Sequence, residues 1–230
     1  MATSGTTTFN LDLTELVEEA FERCGGELRT GYDLKTARRS LNLLFADWAN
    51  RGVNMWTFEQ GSITLIPGQA TYDLPSNTVD LLEHVIRTGA GSASTQADLT
   101  ITRISVSTYA TIPNKLQQAR PIQVWIERKT TTPTITVWPV PDTSTTYTFV
   151  YWRLKRIDDA GNGVNTMDVP FRFIPAMVAG LSYYLAMKVP GGADRLGVLK
   201  QQYDEAWQLA SDEDREKASV RFVPRQMFIN

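Results

Sequence analysis

The stretch DLKTARRSLNLLFADWANRGVNMW, residues 33–56, decides the fold that the sequence predicts. Its apolar residues recur at alternating steps of three and four, which places them on one side of an α-helix. They are Leu34, Ala37, Leu41, Leu44 and Trp48, with Phe45 beside them. Asp33, or Thr30 before it, can accept hydrogen bonds from the first free backbone N–H groups. Gly52 follows where a left-handed residue would end the last turn, so both helix ends are marked.

One leucine of this helix lies off the apolar stripe. Leu43 falls on the opposite side of the helix, among Arg39, Asp47 and Asn50. A single exposed leucine is ordinary on a soluble protein and needs no special explanation. The alternative is that Leu43 contacts a second copy of the chain, which makes it a candidate subunit-contact residue.

Three further stretches have helical periodicity. The first covers residues 13–21, with Asp12 or Asn10 available as a cap and Gly25-Gly26 as a stop. The second, residues 174–187, is apolar nearly all round, as expected of a helix in the middle of a bundle. The third begins near Asp194, and the charged run SDEDREK at residues 211–217 after it predicts a solvated segment.

Between these helix pairs the periodicity changes to alternation, which predicts strands. The strand-like runs are residues 57–59, 62–65, 71–74, 79–87, 121–128, 134–138 and 147–153, with a short helical turn at 105–112. The run GAGSASTQA, residues 89–97, predicts a loop at the tip of the β region. Strands grouped between helices, without strand–helix alternation, predict an α+β fold with an antiparallel sheet.

The predicted organisation has three parts. A helical bundle is formed by the N- and C-terminal helix pairs, residues 1–55 and 167–215. An inserted antiparallel β domain occupies residues 56–166. An extended C-terminal tail covers residues 216–230.

Composition limits the classes of function. The net charge of −2 argues against a tight, sequence-independent DNA binder, which would carry a basic surface. One cysteine, Cys24, excludes an internal disulfide and offers no metal-ligand cluster. The N-terminal residues predict no signal peptide, and the longest apolar stretch, residues 174–187, is too short to span a bilayer. The sequence therefore predicts a protein kept in a cytosol-like compartment, with no contact to a membrane.

Motifs for catalysis, metals and cofactors are missing from the sequence. His84 is the only histidine, and nothing in the sequence links it to Cys24. The carboxylate pairs Glu18-Glu19 and Asp158-Asp159 are typical of a helix surface and a turn. The six tryptophans fall within periodic elements, where core packing is expected. We therefore predict no catalytic residues, no metal and no cofactor.

The C-terminal tail contains the most informative residues outside the predicted core. Its last residues are apolar and basic: Val220, Arg221, Phe222, Val223, Pro224, Arg225, Gln226, Met227, Phe228 and Ile229. A terminus this apolar should either pack on its own domain or dock on a partner. The residues alone leave these two alternatives open.

Several stretches together resemble a known family. In order, they are RSLNLLFADWANRGVNMW, ITLIPGQATYDLP, YATIPNK, RPIQVWIERK, ITVWPVPD, VYWRLKRIDDA and the helix after Asp168-Val169-Pro170. Their order and spacing are similar to those of the head-to-tail adaptor of short-tailed bacteriophages, the podoviral tail tubular protein A type. The similarity runs from about Leu13 to Ala210.

The resemblance implies a structural virion protein rather than an enzyme. It implies a subunit of a dodecameric ring in the virion neck, made in the cytoplasm of the bacterial host. The partners would be further copies of the chain, the portal protein and a tail nozzle of the tail tubular B type. Genomic DNA would be held above the channel or pass through it during ejection, without sequence-specific binding. The helical bundle would form the ring, the β domain would face the nozzle, and residues 220–229 would dock on the portal.

Two other functions are compatible with the residues. A virion-associated peptidoglycan hydrolase would need a buried glutamate as general acid in a cleft. A carbohydrate-binding module in the β region would instead need exposed tryptophans.

Overall fold

The computed structural model describes residues 3–29, 31–51 and 55–215. These residues form five α-helices, eight β-strands and three 3₁₀ turns. In chain order the elements are α1 (Leu13–Cys24), α2 (Gly31–Asn50), a 3₁₀ turn (Met55–Thr57), β1 (Phe58–Thr64), β2 (Thr71–Asp73), β3 (Thr78–Thr88), β4 (Ala97–Thr100), β5 (Thr102–Ile104), α3 (Val106–Ala110), β6 (Gln123–Glu127), β7 (Thr134–Trp138), β8 (Tyr147–Lys155), a 3₁₀ turn (Phe171–Phe173), α4 (Ile174–Ala186), a 3₁₀ turn (Gly192–Arg195) and α5 (Leu196–Glu213).

The predicted α+β class is confirmed. The chain divides into two compact units, which we call the helical unit and the β unit. The helical unit combines Met1–Trp48 with Asp159–Asn230, and the β unit is Ala49–Asp158. Each unit has its own buried apolar residues, so we describe them one at a time.

The ends of α1 follow from local sequence. Asp12 is the N-cap: its side chain accepts from the Glu15 N–H at 2.9 Å, and the Glu15 carboxylate accepts from the Asp12 N–H at 3.2 Å. This reciprocal capping box satisfies two backbone donors that would otherwise be exposed. Gly25 ends the helix at φ 82°, a left-handed conformation that a residue with a Cβ adopts only with strain. Both signals were predicted from the sequence.

The start of α2 differs from the prediction. The helix begins at Gly31, so Asp33 lies inside its first turn and is not the N-cap. Its carboxylate instead accepts from the Arg29 N–H at 3.3 Å. Thr30 and Gly52, the other predicted end signals, lie outside the described residues. The predicted stripe is buried except for Leu34, which is half-buried near the helix start.

Helix α4 is covered on nearly all sides, as its composition predicts. It packs against both α1 and α5. Gly180 marks the closest approach: a Cβ there would lie 2.9 Å from both δ-carbons of Leu44 and 2.9 Å from a ring carbon of Tyr203. Pro175 lies in the first turn of α4, where its missing N–H costs little, and it starts the helix instead of kinking it.

The end of α5 corrects part of the prediction of a solvated segment at residues 211–217, since Asp212, Glu213 and Arg215 are exposed but Asp214 is not. The helix continues to Glu213, and Asp214 beyond it is buried with 7% of its surface exposed. The Asp214 carboxylate accepts from the Arg172 guanidinium and forms an ion pair with it. A buried carboxylate needs such a partner, because an unpaired charge away from water is costly. Residues 216 and 217 lie outside the described part of the chain.

The β unit contains two four-stranded sheets, in the orders β1-β8-β3-β4 and β2-β7-β6-β5. Two predicted strands, residues 57–59 and 62–65, are one continuous strand, β1, which pairs antiparallel with β8. The short strands β4 and β5 were not predicted. Strand β5 pairs with β6 in parallel, whereas the remaining strand pairs of both sheets are antiparallel.

Side chains from both sheets share one apolar core. It consists of Leu65, Tyr72, Leu74, Leu81, Ile86, Ile101, Val124, Ile126, Ile135, Val137, Tyr147, Phe149 and Tyr151. On β8, Arg153 is buried with 6% of its surface exposed. Its guanidinium donates to Asn77 Oδ1 at 2.6 Å, Thr78 Oγ1 at 2.8 Å and Glu59 Oε2 at 2.5 Å. The buried charge is therefore paired with Glu59 and hydrogen-bonded to Asn77 and Thr78 of the same unit.

Candidate functional site

Neither of the two carboxylate pairs considered in the sequence is buried in the described structure. Glu18 is exposed on α1, and Glu19 forms an ion pair with Arg23 at 2.7 Å. Asp158 and Asp159 are both exposed. No group of three or more His, Cys, Asp or Glu residues in the described ranges could hold a metal ion. None of the glutamates that the structure describes is buried, so they do not meet the requirement of the hydrolase alternative.

Cys24 has the environment of a packing residue. Its side chain is buried at the end of α1, and its thiol donates to the Phe21 carbonyl oxygen at 3.2 Å. Burial raises the pKa of the Cys24 thiol, because the thiolate would lose its hydration. A thiol held in its neutral form is a poor nucleophile.

His84 is a strand residue, as predicted. It lies on β3, half-buried, with its ring stacked on Phe149 at a centroid distance of 5.9 Å. Neither ring nitrogen has a hydrogen-bond partner within the described structure. Burial lowers the pKa of His84 below its usual value of 6.5, since the imidazolium would lose its hydration.

The environment of His84 predicts a pH dependence of stability. Because the folded-state pKa is lowered, His84 costs the fold nothing above its unfolded-state pKa of 6.5, and it destabilises the fold as the pH falls below that value. We expect the unfolding midpoint in urea to fall between about pH 7.5 and pH 5, where most carboxylates remain charged. His84→Leu should flatten this dependence. An identical pH dependence of stability in the variant would show that His84 does not cause it.

The tryptophans are mostly covered. Trp48 is fully buried, and of the six only Trp152, with 36% of its surface exposed, is a large exposed apolar residue. Trp152 therefore corrects the expectation that all six pack in a core. Trp125 stacks on Tyr109 at 5.2 Å within the β unit. The row of exposed aromatic rings that a carbohydrate-binding module needs is not formed by these residues.

Leu43 lies on the outer face of α2. Its side chain is 55% exposed, in contrast to Leu41 and Leu44 on the buried stripe. Arg39 and Ala46, which are also exposed, lie one turn to either side of it. More than half of the surface of Leu43 is accessible in the described chain, so this residue can take part in an intermolecular contact.

A groove lies along the outer side of α1 in the helical unit, and we call it the acidic groove. Its lining combines apolar residues with charged residues of α1: Phe9, Leu11, Ile174, Pro175 and Val178, then Glu15, Glu18, Glu19, Glu22 and Arg23. It encloses about 450 Å³. The four glutamates are visible in the sequence, but only the fold places them beside the apolar residues of α4. The predicted portal-binding residues 220–229 lie outside the described residues.

A second cavity of about 720 Å³ lies where α1, α2 and α4 meet at one end of the helical unit. Lys188 lines it and donates to Ser40 Oγ at 2.6 Å. Burial, together with the nearby Arg39, lowers the pKa of Lys188. The remaining charged lining residues are of mixed sign, with the Arg29 guanidinium 3.2 Å from the Glu27 carboxylate. This cavity therefore has no clear preference for an anion or a cation.

The sequence of this chain matches a known protein family. A family model described as SU10 adaptor protein covers residues 11–225 of this chain. No curated protein matches the chain. Among the described residues, the helices are too short or too polar to cross a membrane.

Proposed function

Because this chain belongs to the SU10 adaptor protein family, a family of phage adaptors, we propose that it is a ring subunit joining the portal to the tail nozzle. The observation that carries the proposal is the family match over residues 11–225, most of the chain. An adaptor of this kind is a structural protein of the virion neck. The podoviral tail tubular A type remains the more specific prediction, made from the sequence.

In this proposal the ring has twelve copies and extends the DNA channel between head and tail. The net charge of −2 supports a conduit, because a channel that neutralised many phosphates would retain the genome during ejection. DNA would pass without sequence-specific contacts. No catalytic step, metal or cofactor is part of this function.

The two compact units suggest a division of roles. We assign ring formation to the helical bundle, residues 1–55 and 167–215, and nozzle contact to the β domain, residues 56–166. Residues 216–230 would carry portal docking through the apolar and basic run from Val220 to Ile229. Many equivalent weak contacts in one ring would bind strongly together, because the first contact raises the effective concentration of the others.

Light scattering of the chain alone and mixed with its portal protein tests this function. We expect a ring-sized complex with the portal, and loss of that complex when the chain ends at Lys217. A chain that stays monomeric both alone and in the presence of the portal protein would contradict the proposal. In that case a turbidity assay on peptidoglycan would test the hydrolase alternative, with loss of activity after a single Glu→Gln change as its signature.

Leu43 is our candidate for the contact between subunits. Leu43→Lys should raise the protein concentration needed for ring assembly at least tenfold. The reason is that a charge would be buried where an apolar side chain packs. The matched control is Leu209→Lys, since Leu209 is also an exposed leucine, with 74% of its surface accessible. Light scattering over a concentration series measures both. If the two variants assemble equally well, Leu43 is not part of the contact between subunits.

A further inference from the structure

We propose that the acidic groove binds the C-terminal segment of the same chain, residues 220–230. This docking takes place in the isolated chain, without the portal. It follows from the lining of the groove, the charge of the segment, and the place where the described chain ends.

The groove offers an apolar floor with an acidic rim. Ile174 and Val178 of α4 form part of the floor, while Glu18 and Glu22 stand exposed on the rim. Among the described residues, Glu19 is the rim glutamate that forms an ion pair, with Arg23. Glu18 and Glu22 have no cationic partner in the described ranges. A groove of this kind suits a peptide that is both apolar and basic.

The C-terminal segment has this chemistry. From residue 217 to residue 230 the sequence contains three cations and no acidic residue. Between Arg221 and Arg225 lie Phe222, Val223 and Pro224. Pro224 disfavours a helix and favours an extended backbone. The segment can therefore present apolar side chains between two positive charges.

The spacing of charges matches in the two partners. Glu15 and Glu22 are seven residues apart on α1, which corresponds to about 10 Å at 1.5 Å per residue. Arg221 and Arg225 are four residues apart, which corresponds to about 12 Å in a polyproline-like backbone. Both arginines can thus reach the rim at the same time, with the apolar residues above the floor.

The described chain ends close to one wall of the groove. Asp214 pairs with Arg172, the neighbour of Phe171, and the Phe171 ring packs edge-on against Phe9 at a centroid distance of 6.3 Å. Phe9 itself lines the groove. The six Cα–Cα steps from Arg215 to Arg221 can span about 20 Å. The segment is therefore tethered within reach of its own groove, at a high effective concentration.

Disulfide trapping in the full-length monomer tests this proposal. One variant carries Leu11→Cys and Gln226→Cys, which join the groove wall to the segment. The matched control carries Leu209→Cys and Gln226→Cys, because exposed Leu209 is closer in sequence to the segment than Leu11 is. Cys24 is buried and present in both. Under a limiting oxidant we expect the intramolecular disulfide to form at least tenfold faster in the groove variant.

Charge reversal makes the test specific. Glu15→Lys with Glu22→Lys should slow trapping to the control rate, and adding Arg221→Glu with Arg225→Glu should restore it. Equal trapping rates for the groove and control cysteine pairs would overturn the proposal. Trapping rates that do not change when the charges are reversed would also overturn it. Disulfide-linked dimers in place of monomers would also overturn it, since the segment would then occupy a second copy. Trapping without portal binding would leave this inference standing and contradict the proposed function.

Discussion

Trp48→Ala should lower the free energy of unfolding by about 3–5 kcal/mol, the usual cost of a large buried cavity. The Trp48 side chain is fully buried, and its indole N–H donates to the Tyr203 hydroxyl at 3.0 Å. Its ring contacts the rings of Phe45, Phe173 and Trp207 at centroid distances of 5.9, 5.7 and 4.9 Å. The substitution therefore removes contacts to α5 and to the turn before α4, as well as within α2.

Urea unfolding followed by the helical circular dichroism signal measures this effect. Trp152→Ala is the matched control, since Trp152 is 36% exposed and less of its surface would be lost from a core. We expect a clearly smaller loss for the control. An unchanged midpoint for Trp48→Ala would mean that α2 does not organise the helical unit as described.

Arg153→Met is expected to destabilise the β unit by about 2–3 kcal/mol, because it removes hydrogen bonds made by a charged, buried group. Thr78 is buried with 7% of its surface exposed, so its hydroxyl would lose its partner away from water. Glu59 keeps access to water, with 51% of its side chain exposed, which limits the cost. Methionine retains most of the apolar stem, so the loss reports mainly on the charge.

Arg128→Met is the control for that experiment. Arg128 pairs with Asp80 at 2.8 Å, but its side chain is 61% exposed, and exposed ion pairs contribute about 0–1 kcal/mol. Thermal unfolding of both variants, followed in the strand region of the circular dichroism spectrum, makes the comparison. Equal losses for the two arginines would show that burial of Arg153 does not matter.

Most features that local sequence determines were predicted correctly, although Asp33 is not the N-cap of α2. The stripe around Trp48 follows from helical spacing, and the ends of α1 follow from Asp12 and Gly25, each within a few residues of its partners. The longer strands, such as β3 and β8, alternate strongly enough to be recognised. These features rest on interactions between residues that are close in sequence.

The features that were missed depend on distant partners. Strand β5 has three residues and pairs in parallel with β6, so its conformation depends on the sheet and not on its own pattern. Asp214 lies in a charged run that is typical of solvent, yet Arg172, 42 residues earlier, draws it into the fold. The acidic groove likewise needs α4 beside α1. That the chain is a phage adaptor, in contrast, was recognisable from the order of short motifs, whereas the podoviral tail tubular A type stays a prediction.

The position of α4 has a consequence for the order in which the protein can form during translation. Helix α4 packs against α1, and its Gly180 meets Leu44 of α2, but the β unit is encoded between them. At about 5–20 residues per second, the ribosome needs on the order of 10 s to pass from α2 to the end of α4. During that interval α1 and α2 lack α4, whereas the sequence of the β unit is complete at Asp158, before α4 begins at Ile174. We therefore expect the middle of this chain to fold first, and its beginning and end to fold last and together.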